Sequence, residues 1–162
     1  MRTKISVLLL ALTLFFAGCT RARPDNDQLL IGCADKGHPA TEQEIAALFD
    51  RWNQSIQTGN PQEVVANYAE RSILLPTVSN KPRLTPAEKI DYFQHFLEDR
   101  PSGEINMRQI DIACNMAVDS GLYTFHFAKS GKEVRARYSF TYRWNGTRWL
   151  IVSHHSSAMP ES

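Results

Sequence analysis

From Gly103 onward the chain changes period. "EINMRQIDIACNMAVDSGLYTFHFA" alternates apolar and polar residues in two stretches around "CNM". "VRARYSFTYRWNGTRWLIVSHH" holds two more, on either side of "NGT". Successive side chains of a strand point to opposite faces, so alternation of this kind predicts strands with one buried face. Asn-Gly favours the tight primed turn of a hairpin, and "KSGKE" supplies a second turn. Four long strands joined by short turns make an antiparallel sheet, and its apolar face needs a cover.

The residues before Gly103 supply that cover. In "TEQEIAALFDRWNQSIQTGN", Thr41 is an N-cap with Glu44 three residues on, a capping box. Ile45, Leu48, Phe49, Trp52 and Ile56 share one face at three-four spacing, and Gly59 marks the stop. Pro61 opens a second short helix, "PQEVVANYA", with Val64, Val65 and Tyr68 on one side. "SILLPTVSNKPRL" reads as a short strand broken by Pro76, then a loop. "TPAEKIDYFQHFLEDR" is a third helix, capped by Thr85 and turned inward at Ile90, Phe93 and Leu97. The expected class is α+β: three N-terminal helices packed on one face of a mainly antiparallel sheet. A chain of 162 residues predicts one folded domain, here residues 41–160.

The start of the chain has a different logic. "MRTK" is basic, "ISVLLLALTLFF" is apolar, and "AGC" ends the run. Basic start, short apolar stretch and small residues form a secretory signal, and the run is short of the roughly 20 apolar residues a membrane span needs. "FAGC" also resembles a bacterial lipobox. The expectation is a signal peptide over 1–18, lipidation of Cys19, a tether over 19–40 and an exported protein on the periplasmic face of the outer membrane. Thr20, rather than an aspartate, is the residue behind that sorting. Of the three cysteines, Cys33 and Cys114 remain after Cys19. In an oxidising compartment they are expected to pair, closing a loop of about 80 residues worth about 4 kcal/mol in the chain-entropy model.

A formal net charge of +1 without long like-charge runs gives no electrostatic footprint for nucleic acid. His154 and His155 are adjacent, and neighbouring strand residues point apart, so the pair does not chelate one ion. No H-x-H or H-E-x-x-H spacing stands beside them. No metal and no cofactor are expected, and no Rossmann glycine pattern is present.

"EIAALFDRWNQSIQTGNPQEVVANYAERSILLPTVSN" followed by "GTRWLIVSHHSSAMP" is similar to the association (hub) domain of calcium/calmodulin-dependent protein kinase II. It looks closest to that domain's small bacterial relatives, often labelled SgcJ/EcaC-like or SnoaL-like, within the nuclear-transport-factor-2-like superfamily. The resemblance implies a cone with a pocket at its wide end, and a homodimer through the outer face of the sheet. It does not carry calmodulin over, because the hub is not the calmodulin-binding part. It implies a pocket holding His154 and Ser156, with His155 on the far side. The hub's pocket arginines fall at Ser156 and near Ser139 or Phe140, so Arg137 is the candidate replacement cation. Trp52, Tyr68 and Tyr92 complete the expected lining, and Arg83 is expected near the rim. Such a pocket suits a small anionic or aromatic ligand. The expected function is a lipid-anchored, dimeric, non-catalytic module for a small ligand or protein partner. The alternative is a small hydrolase, isomerase or dehydratase in which His154 works with Arg137.

Overall fold

A computed structural model describes residues 37–77 and 79–160. The signal peptide, Cys19, Cys33 and most of the 19–40 tether lie outside the described residues. The elements are α1 (Glu42–Gln57), α2 (Pro61–Val65), β1 (Tyr68–Leu75), α3 (Pro86–Phe96) with a 3-10 turn (Leu97–Asp99), β2 (Pro101–Ala113), β3 (Met116–Phe127), β4 (Lys132–Trp144) and β5 (Trp149–Ala158). The sheet order is β1-β5-β4-β3-β2, with β1 parallel to β5 and every other pair antiparallel. The fold is α+β, as the change of period predicts.

In α1, Ile45, Leu48, Phe49, Trp52 and Ile56 are buried. The Thr41 hydroxyl accepts from the Glu44 N–H at 3.1 Å, but Glu44 does not close the box. Its carboxylate accepts from Trp149 Nε1 at 3.1 Å, tying the first turn of α1 to β5. The complete box is on α3, where Thr85 and Glu88 cap each other.

Two expectations shift. The second helix ends at Val65, and Tyr68 already belongs to β1. Asn67 ends it: its amide donates to the Glu63 and Val64 carbonyls and to the Ser55 hydroxyl. On α3 the buried positions are Lys89 and Phe93, with Ile90 half-buried. Lys89 is 0% exposed. Its Nζ donates to Ser72 O at 2.9 Å and Leu84 O at 3.0 Å, holding β1 and the loop before α3 together.

Register decides which side chains enter the cone. Thr141 pairs with Ser153 but Tyr142 pairs with Ile151, so Val152 is an extra residue, a β-bulge. Trp149 and Ile151 therefore share the inner face with His154 and Ser156, not with His155 as an unbroken period of two requires. A second bulge on β2 leaves Asn106 unpaired. Next to it, where Gly121 pairs with Arg108, a Cβ on Gly121 would sit 1.9 Å from the Met107 carbonyl oxygen, so glycine permits the close approach.

Candidate functional site

The inner face of β4 is a row of Ala136, Tyr138, Phe140 and Tyr142, all buried. Phe140 pairs with His154, and the imidazole stacks on its ring at 4.0 Å between centroids. Trp52 of α1 meets the imidazole edge-on at 5.4 Å. His154 is 3% exposed. Burial, helped by the neighbouring His155, pulls its pKa from the usual 6.5 down to about 3. The ring is neutral at physiological pH.

Its two nitrogens differ. Nδ1 is 2.8 Å from the Tyr68 hydroxyl, whereas Nε2 is buried with no partner. Burial holds the Tyr68 phenol well above its ordinary pKa, so it keeps its proton. A buried O–H left without an acceptor is costly, so Tyr68 donates to Nδ1. The imidazole proton then sits on Nε2, a donor awaiting an acceptor. The Trp52 indole N–H opposes the rise of Tyr68 but falls short of a hydrogen bond, and it too is unpartnered.

Beside the imidazole lies a hydroxyl chain. Tyr123 Oη donates to Ser156 Oγ, and Ser156 shares a short contact with Thr77 Oγ1. Because Ser156 receives the Tyr123 proton, its own is free for Thr77. His154, Ser156, Thr77, Tyr123 and Trp52 line a cavity whose apolar wall includes Phe93 and Phe125. Its volume is about 10 Å³, the room one water needs. An aromatic ligand does not fit it.

The structure thus brings Trp52, Tyr92, His154 and Ser156 to one cavity, with Tyr68 bonded behind the imidazole. It places Arg137 elsewhere. Arg137 is exposed on the outer face, where its Nε donates to Ser157 Oγ at 3.2 Å. Its neighbours Ala136 and Tyr138 take the inward positions. The cation expected from Arg137 is therefore not in the cavity, and a His154–Arg137 pair is excluded by strand parity. Thr77 and Tyr123 were missed. Tyr123 stands in the inward row of β3 and was legible by alternation; Thr77 follows Pro76 in a loop, where no pattern flags it.

A second buried polar group lies along the same inner face. Asp119 is 0% exposed. Its Oδ1 accepts from Tyr138 Oη at 2.8 Å and Arg108 Nε at 3.1 Å. Desolvation raises its pKa against those two donors. Among the described residues, no three His, Cys, Asp or Glu side chains converge as a metal site.

Residues 41–160 match the family model described as calcium/calmodulin dependent protein kinase II association domain. A solved structure assigned to that domain, from Xanthomonas campestris, is 46% identical, with a TM-score of 0.73 over 76% of this chain and 91% of that one. Two others share the fold at 18% identity. One is an NTF2-like protein of unknown function from Pseudomonas putida (TM-score 0.66, 76% and 89% covered). The other is an iota-carbonic anhydrase from a cyanobacterium, complexed with bicarbonate (TM-score 0.67, 76% and 94% covered). No curated protein matches.

Proposed function

The chain belongs to the calcium/calmodulin dependent protein kinase II association domain family, and from that premise we propose that its His154 cavity takes up carbon dioxide and interconverts it with bicarbonate. One observation carries this reading. A neutral, buried imidazole with an unpartnered Nε2 lines a one-water cavity beside the Ser156–Thr77–Tyr123 hydroxyls. The mostly apolar wall suits a neutral substrate, and because the resting cavity holds about one water, it has to widen to seat CO2 beside the attacking water. Its donors gain most when charge develops on oxygen, which is where transition-state stabilisation is effective. The likeness to a fold-mate that holds bicarbonate supports the same ligand class.

The chemistry is water adding to carbon. A C–O bond forms, one C=O pair moves onto oxygen, and the His154 Nε2–H donates to that oxygen. The water proton leaves along Ser156 and Thr77, hydroxyls that accept and donate at once. Thr77 is half-buried and hands it to solvent. A zinc centre does not fit this donor set: His154 Nδ1 is committed to Tyr68, and no carboxylate lines the cavity. Three or four ligands are needed, so no step runs through a metal.

Stopped-flow CO2 hydration by the full-length chain tests the reading. We expect His154→Ala and Ser156→Ala each to lower kcat/KM by about a hundredfold, the scale of losing one oxyanion donor. A wild-type rate equal to buffer overturns it. The setting we propose is a lipoprotein anchored through Cys19 at the outer membrane's periplasmic face, supported by the basic start, apolar run and "AGC". A Cys33–Cys114 bridge is supported by the disulfide-bonded state of Cys114.

A further inference from the structure

The cavity wall has a second side. Tyr92 and Phe96 line the His154 cavity, and both also line an open groove of about 440 Å³ with Arg83, Asp91 and His95. Arg83 is pinned there. Its backbone N–H donates to Leu74 O at 2.9 Å, and its carbonyl accepts from Leu74 N at 3.0 Å. Its guanidinium lies 5.7 Å from the centre of the Tyr92 ring. The side chain is only 13% exposed.

The donor inventory of this arginine is unbalanced. Nη1 donates to Asp91 Oδ2 at 3.1 Å. Nε is buried and has no partner. A buried N–H on a charged group left unsatisfied is expensive. Nε and Nη2 form the side edge of the guanidinium, the two-donor fork that matches a planar oxyanion. Asp91 occupies the other end and is itself 63% exposed, so water screens it. His95 does not compete for the fork, since its Nδ1 meets the Asp91 carbonyl at 3.0 Å.

The inner cavity lacks any such charge, since neither lysine nor arginine lines it. It can accept neutral CO2, but a product anion leaving it must cross an apolar wall. A cation on the far side of that wall lowers the barrier to leaving and gathers the anion for the reverse reaction. We propose that the groove is an anion vestibule, in which the Arg83 guanidinium turns its occluded, unpartnered Nε edge towards the groove and holds bicarbonate between solvent and the cavity. This rests on the reading of the His154 site as a carbon dioxide/bicarbonate site. Tyr92 and Phe96 are then the shared wall through which the ligand passes.

The test compares the full-length wild type with Arg83→Gln and Arg83→Lys, using sodium bicarbonate in isothermal titration and as product inhibitor of CO2 hydration. Melting curves confirm that the variants fold. Arg83→Gln is expected to weaken bicarbonate binding by about fivefold or more, and Arg83→Lys by less, because an ammonium lacks the fork. Initial CO2 hydration at zero bicarbonate should change less than about twofold, because a group that binds the ground-state anion alone leaves kcat/KM untouched. His154→Ala should do the opposite, losing hydration while keeping Arg83-dependent binding. Unchanged bicarbonate affinity in a folded Arg83→Gln protein overturns the vestibule, as does a wild type that binds no bicarbonate. A wild type that binds bicarbonate through Arg83 but hydrates no CO2 upholds the vestibule and removes the catalytic reading.

Discussion

His154 couples the site to stability through a single proton. Its pKa falls from 6.5 to about 3 on folding because burial disfavours the imidazolium. The unfolded chain therefore binds that proton more readily, and stability drops as pH falls from about 6.5 towards 3. Between pH 7 and pH 5 the loss from this group is about 2 kcal/mol. Urea unfolding at both pH values should show it in the wild type, and His154→Gln should lose that much less over the same interval. Equal losses in both proteins would mean that the imidazole is not buried neutral. The same desolvation that makes the group a pH liability keeps Nε2 a neutral donor, so site chemistry and acid sensitivity share one cause. Tyr68 contributes the other half: without its O–H on Nδ1, the tautomer that puts a donor on the cavity loses its support.

The strands and helices show what the sequence made legible. Alternation located β2 to β5 and the inward row of β4, and that row by itself already sends Arg137 outward beside Tyr138. Setting Arg137 in the pocket came from aligning it with the arginines of a resembling family, where one gap reverses every face. The Val152 bulge was illegible for a different reason. A bulge is a property of two strands, and the extra residue is visible only against Thr141 and Tyr142. Helix caps were half legible. Thr41 and Glu44 have the spacing of a box, but Trp149 arrives from the other end of the chain and takes the glutamate. Thr85 and Glu88 have no such competitor. The closed box on α3 holds the helix that carries Tyr92, Phe93 and Phe96 to the cavity. Thr85→Ala is expected to cost about 1 kcal/mol, read as a lower urea midpoint with an unchanged m-value. No change would show that packing of Lys89 and Phe93 fixes the helix start without the cap.

Among the described residues, one side of the sheet carries no helix. Across its middle runs the row Ser120, Ser139 and His155, paired strand to strand. Val118, Thr141 and Ser153 flank it on one side, and Leu122, Arg137 and Ser157 on the other. Small hydroxyl residues at the centre let two such faces approach closely, while Leu122, Val118 and the 53%-exposed Met107 offer apolar area that water does not reward. A self-complementary patch of this kind suits a two-fold contact, in which each residue meets the same surface on its partner. The proposed homodimer through this face makes a specific demand on Ser139. In a monomer, Ser139→Arg adds one more outward charge beside Arg137 and costs little. In a two-fold dimer it brings two cations together near the axis and desolvates both. Sedimentation equilibrium should therefore find wild type at twice the chain mass and Ser139→Arg at the chain mass, both folded by circular dichroism. A Ser139→Arg protein that stays dimeric would move the contact to another surface. Because Ser139 pairs with the outward His155, whereas Phe140 pairs with His154, the variant also separates assembly from catalysis: CO2 hydration per chain should survive the loss of the dimer if each cone holds a complete site.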